Sequence, residues 1–340
     1  MAKNTRVITC ASYGGTGSSA ITDLLKEFSN IKSMGDFEFA FLHEVDGVSD
    51  LQHYVVDDFH RLKTDEGLYR FLNLCYDLNY NQGYNKIIGN DKFYEISKKY
   101  VEDIQGVTWD GYWHMHRNRV SKLKRRIIYG PDEIKLRVYR QIIGKFNDRY
   151  KEFTPEFKKS TIRLANIPYD EFIKHTKKYT SDFVNLFTQN QEFDFIALDQ
   201  LLPPTNLNRY TNYFNDIKVI VVDRDPRDLY VLNKVYWKEG WIPTEDVETY
   251  IKWFELLRKN IDSNSNVLRI NFEDLIYKYE KTVEKIMNFI EIDKEKHEFK
   301  KQYFIPEVSI KNTKLWDKHK ELNKEIEMIS KKLNSYCYNL

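Results

Sequence analysis

The apolar positions change their spacing several times along the chain, and each change marks an element. Val7 to Ala11 is a short β-branched run that predicts a buried strand, and Ile21, Leu24, Leu25 and Phe28 then recur at helical spacing. Ser33 to Phe41 ends in polar–apolar alternation, the pattern of a strand or its end. From about Leu51 to Gln191 strand signals are weak. Pieces such as Leu68, Phe71, Leu72 and Cys75 keep helical spacing, which predicts a helical insertion or lobe over about 51–191. Strand patterning returns at Asp194 to Gln200, before Pro203 and Pro204 interrupt it, and again at Ile217 to Asp223. The latter is the near-continuous apolar run of a strand covered on both faces. Val247, Ile251, Phe254 and Leu257 predict a helix with acidic residues in its first turn. Val267 to Leu275 gives another strand, and a helix through Val283, Ile286, Met287 and Ile290 follows. A polar linker, Ser309 to His319, precedes a last helix with Leu322, Ile326, Ile329 and Leu333 on one face.

Strands alternating with helices define an α/β chain. The expected fold is a three-layer P-loop-type parallel sheet of about five strands, flanked by helices and interrupted by the helical insertion, with residues 1–340 forming one domain. The 340 residues and their 41% hydrophobic and 15% aromatic content are enough for a sizeable core. A net charge of only +2 does not announce nucleic acid or membrane as a bulk partner. No apolar run approaches a membrane span, and Met-Ala-Lys-Asn-Thr-Arg lacks a secretory pattern. Cys10, Cys75 and Cys337 are too few and scattered for a disulfide framework, so a cytoplasmic setting is expected.

The chemistry concentrates where strands meet helices. After the first strand come Gly14, Gly15, Thr16 and Gly17, then Ser18 and Ser19 at the start of a helix. Glycines permit a tight turn and close backbone approach, and the helix start aims amides and a dipole at one spot suited to phosphate or sulfate. A nucleoside-triphosphate loop would carry lysine before the final hydroxyl. Ser18 stands there instead, which argues against ordinary ATP or GTP chemistry. Beyond the second strand, Glu38, His43, Glu44 and Asp46 fall where an open α/β sheet keeps its ligands, provided that this strand neighbours the first. At the end of the Ile217 strand, Arg224 and Arg227 flank a helix start at Pro226 and make a second anion site, or else pair with Asp223, Asp225 and Asp228. Arg117 to Arg126 is a cationic run, either a solvated helix face or a contact for an acidic or phosphate-bearing partner. His114 and His116 have no matching carboxylate or cysteine cluster, so no metal site is expected.

Taken in order, three blocks resemble the sulfotransferase family that uses 3′-phosphoadenosine 5′-phosphosulfate (PAPS). Ser-Tyr-Gly-Gly-Thr-Gly-Ser-Ser resembles its 5′-phosphosulfate loop, Val-Ile-Val-Val-Asp-Arg-Asp-Pro-Arg-Asp-Leu its 3′-phosphate block, and Leu-Arg-Ile-Asn-Phe-Glu-Asp-Leu its following strand–helix block. Lys-Asn-Thr-Lys-Leu-Trp is similar to the loop that closes over the nucleotide. The resemblance implies that Gly14 to Ser19 hold the 5′-phosphosulfate, that Arg224 holds the 3′-phosphate, and that Glu38, with His43 in reserve, is the base for the acceptor hydroxyl. It implies PAPS as co-substrate, no metal, and a hydroxyl acceptor, taken to be a carbohydrate. Two departures stand out. Gly15 replaces the loop's usual Lys or Arg, for which Arg227, Lys311 and Lys314 are the substitutes to consider. Leu232 replaces a usual Ser, with Asn233 beside it. Two other functions stay open: a kinase-like P-loop enzyme with Asp199 holding magnesium, and a non-catalytic nucleotide- or glycan-binding protein. Peripheral membrane association is compatible with all three.

Overall fold

In a computed structural model, residues 5–142, 159–188 and 193–339 are described. Five parallel strands form the central sheet: β1 (Arg6–Ser12), β2 (Ile31–Glu38), β5 (Phe195–Asp199), β6 (Ile217–Asp223) and β7 (Val267–Asn271). Their order is β2-β5-β1-β6-β7. A separate antiparallel pair joins β3 (Val107–Gly111) to β4 (Ser160–Leu164). These two strands lie inside the segment read from sequence as helical. Val107 to Asp110 are exposed and each strand spans five residues, so neither leaves a clear alternating signature.

Alternate residues of each central strand feed two different cores, as the two-residue period of a strand requires. Val7, Ala11, Ile196, Leu198, Val219 and Val221 face one side, where the helices Arg61–Tyr80, Lys92–Ile104 and Tyr169–Asn185 cover them. Ile8, Cys10, Ala197, Ile220 and Val222 face the other, against the helices Ser18–Leu25, Phe272–Tyr277 and Tyr279–Ile290. The result is three layers, helix–sheet–helix. Cys10 is fully buried, and burial pushes its thiol well above the ordinary range, as for a small core hydrophobe. A third cluster, with Leu229, Tyr250, Phe254, Ile326 and Ile329, packs the helices Pro226–Val231, Val247–Leu257 and Asn323–Lys332 together.

Two topological facts position the site. β1 and β6 are direct neighbours, so the glycine loop after β1 lies next to the arginine turn after β6. β2 is not beside β1, because β5 comes between them. The condition under which Glu38, His43, Glu44 and Asp46 would all sit by the loop is therefore not met. The register of β2 on β5 shifts between Ser33 and Glu38, around Gly35 at φ +73°, and Glu38 pairs with Asp199 at the strand end. A bulge of this kind re-aims the following side chains.

Candidate anion-binding and catalytic site

The turn after β1 is built by its own hydroxyls. Thr16 donates from Oγ1 to the Val222 carbonyl at 2.7 Å and accepts from the Tyr13 amide at 3.2 Å. The loop is thereby tied to the end of β6. Gly14, Gly15 and Gly17 have φ of +83°, +66° and +116°, values that side-chain-bearing residues rarely adopt. Space is equally restrictive. A Cβ on Gly15 would stand 2.7 Å from the Trp237 ring, and one on Gly14 2.3 Å from Trp241. An indole thus occupies the volume into which a loop lysine would project. The helix Ser18–Leu25 begins directly after Gly17; the Ala20 amide donates to the Gly17 carbonyl at 3.1 Å, while helix geometry gives the Ser18 and Ser19 amides no intrahelical carbonyl to bond.

A cavity of about 580 Å³ opens at this point, within the range of small-molecule sites. Gly15, Gly17, Ser18 and Ser19 line it, together with Arg224, Glu38, Asp199, Trp237, Phe272 and Asn312. Arg224 is 5% exposed and lies flat over Phe272, 4.5 Å from the ring centroid. It donates from Nη1 to the Gly15 carbonyl at 3.4 Å and from Nη2 to the Asn312 carbonyl. Its Nε has no hydrogen-bond partner among the described residues. Burial lowers its pKa, as expected for a cation out of water, against the nearby charges of Asp228, Glu273 and Asp225. A buried guanidinium that bonds only carbonyl oxygens is poised to accept an anion.

The walls place several of the sequence candidates elsewhere. Arg227 is held by Asp225 through Nε and Nη2 at 2.5–3.2 Å, stacks 4.3 Å from the Trp316 ring, and donates to the Tyr338 carbonyl. It fastens the chain's end and does not line the cavity. Asn233 spends its Nδ2 on the carbonyls of Glu239 and Ile242 and on Thr244 Oγ1 at 3.0–3.2 Å, a turn-bracing role. Lys311 and Lys314 are exposed and absent from the lining, although Asn312 between them contributes. The Lys314 amide donates to Asp228 at 2.9 Å, which pins this late loop to the helix Pro226–Val231. His43 donates from Nε2 to the Gln200 carbonyl at 2.8 Å and is outside the lining, and burial lowers its pKa. Its effect on the loop is indirect, since Gln200 Nε2 donates to Ser12 Oγ at 2.6 Å. Asp46 pairs with Arg70.

Glu38 is the one member of its turn that reaches the cavity, at its solvent-open side. Partial burial and then the charge of Asp36 raise its pKa. Facing it across the register is Asp199, only 2% exposed. Asp199 Oδ2 accepts from Ser18 Oγ at 3.2 Å, while Oδ1 has no partner among the described residues. Burial, opposed by the Ser18 bond and reinforced by Glu38, pushes it up to about 7. Asp199 entered the sequence reading only as a magnesium ligand. Among the described residues no group of three His, Cys, Asp or Glu is placed to hold a metal. The terminal position in an apolar strand was the available signal for its burial. Trp237 and Tyr303 had none, because their approach to the loop is tertiary.

No family model matches the sequence, and no curated protein does. Solved structures with a similar course include the sulfotransferase domain of the Synechococcus PCC 7002 olefin synthase, at 11% identity and TM-score 0.41, covering 99% of this chain and 97% of that one. Sulfotransferase STF9 from Mycobacterium avium follows at 10% identity and TM-score 0.37, covering 100% of this chain and 79% of that one. A retinol dehydratase solved with androsterone and the inactive cofactor PAP shows 11% identity and TM-score 0.34, with coverages of 98% and 82%.

Proposed function

We propose that this chain transfers a sulfuryl group from PAPS to a hydroxyl acceptor. One observation carries the reading: the amide-rich loop Gly15–Ser19 and the buried Arg224 line one cavity, with Arg224 bonded to the loop's own carbonyl. That arrangement suits a nucleotide bearing anionic groups at both ends of its ribose. In this reading the loop amides and the Ser18 and Ser19 hydroxyls grip the 5′ end, and Arg224 takes the 3′-phosphate in exchange for the carbonyls it now bonds. The donor supplies an activated sulfuryl group for in-line displacement, which asks the protein for positioning and charge stabilisation. Glu38 is assigned as the base that takes the acceptor's hydroxyl proton, at the open side of the cavity where an acceptor enters. His43 is set aside from that role by its bond to Gln200. The acceptor proposed is a carbohydrate hydroxyl, a choice that rests on analogy.

The experiment is turnover by Glu38→Gln with PAPS and a panel of glycans. It should keep nucleotide binding and lose most turnover, about 10²-fold or more. Full turnover would clear Glu38. A second reading, a magnesium-dependent nucleotide enzyme, is favoured by the Asp199–Ser18 bond. A thermal shift with ATP and magnesium that exceeds the shift with 3′-phosphoadenosine 5′-phosphate would select it.

A further inference from the structure

The helix Lys122–Ile142 belongs to none of the cores, and it contains part of the cationic run that the nucleotide site does not use. Its root is firmly held. Arg119 bonds Asp65 and Glu66 at 2.5 and 2.9 Å, His116 bonds Asp65 at 3.1 Å, and the Arg163 amide donates to the same carboxylate. Arg117 pairs with Glu133, and Tyr129 is buried against the root. Beyond that, Leu123, Ile127, Ile134, Val138 and Ile142 are 48–69% exposed. At 100° per residue Leu123 and Ile127 fall within an arc of about 40° before Pro131, and Ile134, Val138 and Ile142 within about 80° after it. Ile134, Val138 and Ile142 line a shallow apolar groove of about 310 Å³. Lys124 and Lys135 border the stripe on one side, and Arg126 and Arg137 on the other.

We propose that this helix lies on an anionic lipid surface, its apolar stripe in the acyl boundary and its basic flanks at the headgroups. The pattern is that of an interfacial helix: apolar on one narrow face, cationic on both borders, with basic stems long enough to reach outward. No described helix is long and apolar enough to cross a membrane, so the contact is one of lying on the surface. Charge selects lipid over a second copy of the chain. The described side chains of the helix include six cations, Lys122, Lys124, Arg125, Arg126, Lys135 and Arg137, against Asp132 and Glu133. Glu133 is already paired with Arg117. Two such helices packed stripe to stripe would bring basic flank against basic flank. This inference is independent of the nucleotide site.

The test is co-sedimentation of the full chain with phosphatidylcholine vesicles, with and without phosphatidylserine. Each basic side chain at an anionic surface strengthens partitioning about fivefold. The wild type should bind only the phosphatidylserine vesicles. A variant with Lys124, Arg126, Lys135 and Arg137 changed to Gln should lose binding by more than about a hundredfold. Ile134→Ser with Val138→Ser should lose it by more than about tenfold. All six positions are outside the cores, so thermal unfolding should be unchanged. Ile134→Trp should show a blue-shifted emission on the same vesicles, a direct reading of insertion. Absence of binding to phosphatidylserine vesicles would overturn the proposal. So would binding unaffected by the stripe variant, which is the mark of an acidic partner met by charge alone. A dimer at sedimentation equilibrium that Ile134→Ser abolishes would assign the stripe to a second copy.

Discussion

Replacing Asp199 by Asn isolates one buried charge beside the phosphate loop with almost no change of shape. In the wild type the carboxyl is 2% exposed, accepts from Ser18 Oγ, and faces Glu38. Burial and Glu38 push it from the ordinary 3.8 up to about 7. Between those two values the folded protein holds a proton that the unfolded chain has released. Stability is therefore highest below the lower value and is lost as pH rises to the upper one. At about 1.4 kcal/mol per pH unit, the ionised group costs on the order of 4 kcal/mol above about pH 7. Glu273, also raised to about 7 by burial, adds a loss of the same sign in both proteins and cancels in the comparison. Urea unfolding at about pH 5 and about pH 8 should therefore show Asp199→Asn gaining about 2–3 kcal/mol on the wild type across that interval. The variant should also bind 3′-phosphoadenosine 5′-phosphate more tightly at the upper pH, because one carboxylate facing the anion site is gone. Equal pH slopes in the two proteins would refute the argument and mean that Asp199 is ionised throughout.

Further outcomes follow from the loop and its supports. Gly15→Ala places a Cβ against Trp237 at φ +66° and should cost about 1–3 kcal/mol of stability along with anion affinity, by chemical denaturation and calorimetry. Gly15→Lys should fare no better, which separates a filled lysine position from a merely vacant one. Glu27 is fully buried at the end of the helix after the loop, and it accepts from His297 at 2.8 Å, Tyr279 at 3.1 Å and the Phe304 amide at 2.9 Å. Glu27→Ala should cost about 3–5 kcal/mol. By freeing the Tyr303–Phe304 wall of the cavity it should also weaken nucleotide binding in the protein that remains folded.

The parts of this fold that were legible in the sequence are those whose cause is local. Val7 to Ala11 and Ile217 to Asp223 announce themselves because both faces of each strand are covered, and the glycines of the first loop because their backbone angles exclude other residues. Adjacency of strands was not legible. Nothing within Ser33 to Glu38 says that β5 separates it from β1. The two arginines of the β6 turn show the same limit. Arg224 and Arg227 read alike in one dimension, yet Asp225 between them captures only Arg227, and Phe272 gives Arg224 a surface to lie on. The missing loop lysine was visible as an absence, but its reason, an indole arriving from Trp237, is a tertiary contact. Glu27 drew no attention in the sequence, because its role as the buried anchor of a distant loop is a tertiary contact.

The central claim is that one cavity grips both ends of a doubly phosphorylated adenosine. Calorimetric titration of the wild type and Arg224→Ala with 3′-phosphoadenosine 5′-phosphate and with adenosine 5′-phosphate tests it most directly. Loss of a charge-assisted contact of about 1.5–3 kcal/mol should weaken the bisphosphate about 10- to 150-fold and leave the monophosphate nearly unchanged. Equal weakening of both ligands, or no binding of the bisphosphate by the wild type, would contradict the account.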